Sequence, residues 1–394
     1  MNNSLLFIFI SFFLLGCQKS VNYSDLPVID ISKKYPQKEI HLQDIADMEY
    51  IPLETTDDVL LGQFPWLSYL SDNYILVWNM GHEDIFVFNR NGKIVSHFKH
   101  KGQGDKEYVG ITAGTGVILD EKNEEIFVFS QFRILVYSLT GAYKRTLKYP
   151  TDLTLTTANN LDDETLLVYD NYSFSYYRDT IINKPYKLLS KKDGSIVSEL
   201  DIRLPVRYSN RTAQVIDQGR RQENIIYIPL SIPIPKNMCY GQEFVISDIS
   251  SDTIYLLTQN RELTPMLVRK PSVHSSEPRI VWSTIFTTDK FMILQKSIID
   301  FIAAEKGRPV SDVFMMYEFE TGEISEVSFI DNDLVRDWMP ILSISAPKNV
   351  YAHLISTPRL KAAYEAKQLK GDLEKLVETL DEDDNGVLRI ISFR

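Results

Sequence analysis

An all-β fold is predicted by the stretch at 74–98, YILVWNMGHEDIFVFNRNGKIVSHF. It holds an apolar run at 74–78, a second at 84–89, the turn Arg90, Asn91, Gly92 and a third run at 93–98, the pattern of short antiparallel strands joined by tight turns. The pattern returns as EIFVF at 125–129, RILVY at 133–137 and a third run at 142–147, with Gly92 recurring as Gly141 and Ile85 as Ile134 at the same spacing. Tyr and Phe number 21 and 20, a content that suits pleated surfaces. A unit of three or four short strands repeated every 40 residues or so (about 40–50) is the mark of a β-propeller blade, each sheet stacking its apolar faces on its neighbours.

The chain opens on something different. Residues 1–16 carry a nearly uninterrupted run of Leu, Phe and Ile ending in Leu14, Leu15, Gly16, Cys17. The run is shorter than the roughly 20 residues of a spanning helix, and reads as a targeting segment. It resembles a bacterial lipoprotein signal, which implies that Cys17 becomes an acylated (palmitate-bearing) first residue; a basic residue after Met1 is missing from that pattern. Residues 17–38, polar and punctuated by Pro27 and Pro36, read as a tether. Cys239 is the only other cysteine, so an internal disulfide and a cysteine-based metal site are both excluded once Cys17 carries lipid. The formal charge of -11 argues against broad electrostatic affinity for nucleic acid or anionic membrane. The expected address is the cell envelope, lipid-anchored, at the outer membrane.

Strands are expected at 39–42 and 48–53, and the second of them runs out into the motif Tyr50, Ile51, Pro52, Leu53, Glu54, Thr55. This Y-I-P-L-E-T wording resembles the opening of the six-bladed β-propeller lipoproteins common in Bacteroidota. A second feature of that family is a glycine-rich loop ending in Glu and Tyr. This chain has Lys101, Gly102, Gln103, Gly104, Asp105, Lys106, Glu107, Tyr108, which departs from the family pattern at Gln103, Asp105 and Lys106. The two glycines would either supply positive backbone angles in a crossover, with Tyr108 packed between blades, or present amides to an anion beside Lys101 and Lys106.

Blade three is expected at 165–169, 186–190 and 195–200, blade four to begin at 224–230, and blade five at 291–295, 313–319 and 323–329. Within blade three, Tyr172, Phe174, Tyr176 and Tyr177 precede Arg178, either as a stacking platform for a sugar or aromatic partner or as an ordinary strand. Arg207 and Arg211 stand among loop formers, suited to a carboxylate or sulfate or to a solvated loop. A helical insertion is expected at 357–380, opened by Thr357 and Pro358 with a possible division at Gly371, and then a closing strand, VLRIISF, at 387–393. One strand from the 39–53 region should share a sheet with that closing strand, which adds ladder hydrogen bonds across the seam of the ring. Residues 39–394 then form one propeller of six blades.

The chemistry is sparse. The six histidines fall in no HExxH or compact metal pattern, and no metal or cofactor is expected. Gly-x-Ser-x-Gly is missing, and no carboxylate pair stands out. The favoured function is a non-enzymatic binding module for an envelope protein complex or a glycan. The alternative is a secreted hydrolase or lyase acting on polysaccharide or peptide from a central-channel site.

Overall fold

The second strands of the first two repeats are apolar through their centres: Ile75, Leu76, Val77 and Trp78 are all buried, as are Ile126, Phe127, Val128 and Phe129. A strand that hides both faces must be covered by a sheet on each side, which a ring of stacked blades provides. The computed structural model describes residues 26–394 except 63, 113, 115, 172–183, 205, 209–210, 218–222, 230–235, 277, 300–310 and 335–343, with backbone alone at 211–217, 223–229, 236–239 and 311. Among these residues the chain forms six blades and one separate hairpin.

Blade one comprises Pro65–Leu70, Tyr74–Asn79, Ile85–Asn89 and Ile94–Phe98; blade two, Val117–Asp120, Glu125–Ser130, Arg133–Ser138 and Tyr143–Lys148. Blade three comprises Leu155–Asn160, Thr165–Asp170, Tyr186–Ser190 and Ile196–Glu199. Blade four is built on Lys236–Tyr240, Glu243–Ser247, Thr253–Leu257 and Leu263–Lys270, and blade five on Arg279–Thr287, Phe291–Ile299, Ser311–Glu318 and Ile324–Ile330. Blade six joins Val350–Ile355, Val387–Phe393 and Ala46–Pro52. Neighbouring blades meet through separate apolar clusters: Leu76, Val87 and Tyr137 between one and two, Phe129, Leu147 and Leu166 between two and three.

The expected shared blade is present. Ala46–Pro52 pairs antiparallel with Val387–Phe393 through seven registered positions, from Pro52 against Val387 to Ala46 against Phe393. The segment before it goes further than expected. Val28–Asp30 lies within the span expected to be tether, yet it pairs parallel with the outer edge of blade four, and Gln37–His41 pairs parallel with the outer edge of blade five. Ile29 and Ile31 are completely buried there, which supplies the apolar reason for a polar-looking segment to dock. The beginning of the chain therefore laces the outer edges of blades four, five and six in turn.

A further sequence expectation is corrected. The run expected to begin blade four forms instead, at Glu223–Pro229, a hairpin with Arg211–Asp217, and blade four begins at Lys236. Its apolar content resembled a blade strand, but its partner is the local strand just before it, paired at seven registered positions. The helical insertion is divided at the expected place into two helices, Thr357–Glu365 and Gly371–Glu378, and Gly371, at a positive φ of 66°, opens the second.

The Y-I-P-L-E-T segment is the seam itself. Tyr50 Oη donates to Asp333 at 2.8 Å, Leu53 N to Gly386 O at 3.2 Å, and the Glu54 carboxylate accepts from Ile94 N at 2.8 Å. Asn385, almost fully buried, completes the latch: Nδ2 donates to Glu54 O and Val59 O at 2.7 and 2.8 Å, Oδ1 accepts from Leu61 N at 2.7 Å, and its own amide donates to Thr55 Oγ1.

Candidate functional site

Each full blade is antiparallel, so its first-to-second and third-to-fourth turns lie at one end, and its second-to-third turn and the crossover to the next blade lie at the other. The two ends differ in chemistry. At the turn end, acidic residues tie each blade to the next. Glu121 of blade two accepts from Tyr69 Oη and Asn73 Nδ2 of blade one at 2.7 and 2.6 Å, and Lys191 of blade three bonds buried Asp120 at 2.5 Å. Arg261 of blade four reaches Asp162 of blade three at 2.9 Å. Asp289 of blade five accepts from Tyr240 Oη, Lys348 Nζ and Asn349 Nδ2 at 2.6, 2.6 and 2.9 Å. Those three donors hold the Asp289 carboxyl down at about 2.

The crossover end exposes apolar side chains instead. Leu60 and Phe64 (53% and 62% exposed) lie on the crossover into blade one, Met80 on its second-to-third turn, Val109 on the crossover into blade two, Phe132 (56% exposed) on that blade's second-to-third turn, and Val206 on the crossover out of blade three. The other large exposed apolar residues among the described ones, Val28, Val95, Ile196 and Val197, are on outer strands. Leu60, Phe64 and Met80 are held side by side: Met80 N donates to Phe64 O at 3.1 Å and Asn79 Nδ2 reaches Leu60 O at 3.5 Å.

The glycine-rich loop lies on this end, next to that trio. Gly104 N donates to Glu107 Oε2 at 2.9 Å and Gly102 N to Tyr108 O at 3.0 Å, so both amides serve the loop itself. Neither glycine has the positive backbone angle expected of it. A Cβ at Gly102 would lie 2.0 Å from Glu107 Oε2, so a side chain there would displace the Glu107 carboxylate from Gly104 N. Tyr108 packs between blades one and two as expected, wholly buried, edge-on to Tyr137 with ring centres 6.3 Å apart, and its hydroxyl donates to Glu83 O at 2.8 Å. Lys101 pairs with Glu83 at 3.5 Å, and Lys106 stands over the Tyr143 ring at 5.6 Å.

Over blades three to five the crossover end is aromatic and cationic. Arg207 Nη2 donates to Tyr169 Oη and Asp170 O, both at 2.8 Å, with the guanidinium over the Tyr169 ring. Beneath it Asp248 is fully buried, accepting from Tyr186 Oη at 3.1 Å and Ser250 N at 2.8 Å; burial pushes its carboxyl above the ordinary aspartate range. Tyr208, next in chain to Arg207, carries the Arg279 guanidinium 3.9 Å above its ring and meets His274 Nδ1 at 3.0 Å. Arg211 begins the hairpin strand paired with Pro229, and its side chain lies outside the described residues. Cys17, Tyr172, Tyr176, Tyr177 and Arg178 also lie outside them.

The structure thus brings Lys101 and Lys106, in one crossover loop, and Arg207, on another crossover, to one end of the ring. The exposed apolar residues were not singled out from sequence, although Phe132 between two strands in S-Q-F-R is a bulky aromatic at a turn and offered a signal. A further cavity of about 660 Å³ lies along blade five, with Phe286, Ile293, Phe314 and Phe329 in its wall and the buried pair Arg389 and Asp331 at its margin. Among the described residues no group of three His, Cys, Asp or Glu is placed to hold a metal ion, and no helix is long and apolar enough to cross a membrane.

The family described as domain of unknown function DUF4934 matches residues 26–392. The chain belongs to that family. The match begins just ahead of the first lacing strand, so the strands on blades four and five belong to the DUF4934 unit. Among solved structures, this DUF4934 chain is similar to a Bacteroides fragilis protein whose name calls it exported, at 15% identity and a TM-score of 0.64, covering 93% of this chain and 99% of that one. It is also similar to a member of the DUF4221 family from Bacteroides vulgatus, at 11% identity and a TM-score of 0.42, covering 89% and 97%. At these identities the likeness is one of fold. Curated protein sequences show no match.

Proposed function

We propose that this DUF4934 chain is a lipoprotein of the cell envelope, acylated at Cys17, whose crossover end docks a protein partner. The observation that carries the reading is the placement of Leu60, Phe64, Met80, Val109, Phe132 and Val206 on crossovers and second-to-third turns, with no large exposed apolar residue in the opposite turns among the described residues. Exposed apolar side chains gathered on one surface of a soluble body mark an interaction site. Their type favours a protein over a glycan: sugars stack on flat aromatic rings framed by hydrogen-bond donors, whereas Leu, Met and Val with two Phe suit a partner's apolar side chains. The address rests on the signal-like residues 1–16, and it agrees with the name of the Bacteroides fragilis protein of like fold.

The alternative, a hydrolase or lyase, would need carboxylates available at this end. Asp84 is engaged by His97 and Lys99 at 3.0 and 3.2 Å, Asp170 by Thr154 N at 2.8 Å, and Asp252 by Val273 N at 2.7 Å. These bonds give those three acids structural work, and Asp248, whose carboxyl is pushed up, is fully buried beneath Arg207 and the tyrosines, which favours binding over acid–base chemistry.

The test is cross-linking in native membranes with the full chain. A protein adduct should form with wild type and with Val95→Asp, and be lost with Phe64→Asp/Phe132→Asp at unchanged melting temperature. Equal capture by both variants would refute the reading, and a soluble glycan that protects the two Phe sites would replace it.

A further inference from the structure

The lacing strands decide which edge of the propeller faces the anchor. Leu26 is the first residue described, and Pro27 O already accepts from Val268 N on the outer edge of blade four at 3.0 Å. From Cys17 to Leu26 the chain has nine steps, which span at most about 32 Å when fully extended. A lipid on Cys17 therefore keeps the outer edge of blades four and five close to the bilayer.

That edge carries a cluster of lysines on a chain whose net charge is -11. Lys33, Lys34 and Lys270 are exposed around Asp30: Asp30 pairs in register with Lys270, Lys33 Nζ lies 3.9 Å from the Asp30 carboxylate, and Lys34 adjoins. Lys296 lies under them, its Nζ donating to Lys33 O at 3.2 Å, with its ammonium pKa lowered by burial. Lys38 is exposed nearby and pairs with Glu318 at 2.9 Å. The acids of the neighbourhood are also engaged. Asp30 accepts from the Ser32 hydroxyl at 2.6 Å, Glu326 from Tyr35 N at 3.2 Å, Asp312 from Ser297 Oγ at 2.6 Å, and Glu39 faces His41 at 4.0 Å.

We infer that this edge rests on the membrane surface, with Lys33, Lys34 and Lys270 against the headgroups of anionic phospholipids. The inference rests on acylation at Cys17. A single acyl anchor is reinforced by a basic patch beside it; the attraction acts within about 8 Å at physiological salt, and a connection of at most about 32 Å lets the edge reach that range. In a ring of six, blades one and two lie across from blades four and five. The apolar sector around Phe64 and Phe132 then stands furthest from the bilayer, open to a partner.

The experiment places a nitroxide at Lys34→Cys or Val95→Cys in full-length acylated protein carrying Cys239→Ala. The protein is bound to phosphatidylcholine vesicles with or without phosphatidylglycerol. The label at 34 should be relaxed by a nickel-chelating lipid several-fold more than the label at 95, and more strongly when phosphatidylglycerol is present. Lys33→Glu/Lys270→Glu should float equally with vesicles and lose the phosphatidylglycerol dependence. Equal relaxation at 34 and 95 in floating protein would overturn the inference and leave the anchor standing, as would a dependence retained in the double variant. Protein that does not float, with a mature mass lacking acyl chains, would overturn both.

Discussion

Asp289 shows how a single exposed carboxylate fastens three blades. It lies on the first turn of blade five and takes hydrogen bonds from Tyr240 of blade four and from Lys348 and Asn349 at the entry to blade six. Its carboxyl is held at about 2, below its ordinary value of 3.8. A depressed carboxyl pKa favours the folded state above the unfolded value and loses that advantage as pH falls through the folded one. The melting temperature of wild type should therefore exceed that of Asp289→Asn by its full margin above pH 4, and the two should converge as pH approaches 2. A margin constant with pH would deny the carboxylate its role. At this scale the sequence was least informative. Asp248, Tyr169, Tyr186 and Arg207 come from different strands and crossovers, and nothing in their spacing announces that they meet. The exposed Phe and Leu residues stand outside the expected strands, and their spacing does not announce a common surface because exposure is set by the ring and not by the residue.

Among elements, the seam between the first and last strands concentrates the most consequence in the fewest residues. Gly92 illustrates how tightly it is drawn: its φ is 76°, and a Cβ would lie 2.3 Å from Pro52 O. Asn385 satisfies Glu54 O, Val59 O and Leu61 N together. Removing it leaves buried backbone groups without partners, at roughly 1–3 kcal/mol for each group left unsatisfied. Asn385→Ala should lower stability by about 3 kcal/mol, measured by denaturant unfolding, with a loss below about 0.5 kcal/mol counting against the latch. Strand content was legible here because alternation and turn residues repeat: blades one and two, the closing strand and the divided helical insertion all follow the sequence pattern. The Y-I-P-L-E-T wording was legible as a resemblance, and the contacts explain its chemistry, since each of Tyr50, Leu53, Glu54 and Thr55 bonds across the seam. The hairpin at 211–229 was not legible, because an apolar run pairs equally well with a local strand or a blade, and tertiary context makes the choice.

For the whole molecule, the chain's beginning acts on three blades at once. Ile29 is wholly buried against the outer edge of blade four. Ile29→Asp places a charge where there is no water, and should undock that strand. Hydrogen exchange should then quicken at the amides of Leu263–Lys270, with those of Glu125–Ser130 in blade two unchanged; uniform change across both would mean that the strand has no local role. A short parallel strand with a polar surround is hard to recognise in sequence because its apolar signal is only Ile29 and Ile31. The same lacing sets an order of events. Val28 finds its partner Val268 only after blades one to three and most of blade four have been made. The first residues to leave the ribosome are thus among the last to settle, and the ring stays open, with its edges unprotected, until the final strand at Val387–Phe393 arrives. With the envelope address proposed above, this arrangement favours passage across a membrane ahead of folding, since no early portion of the chain can lock the whole.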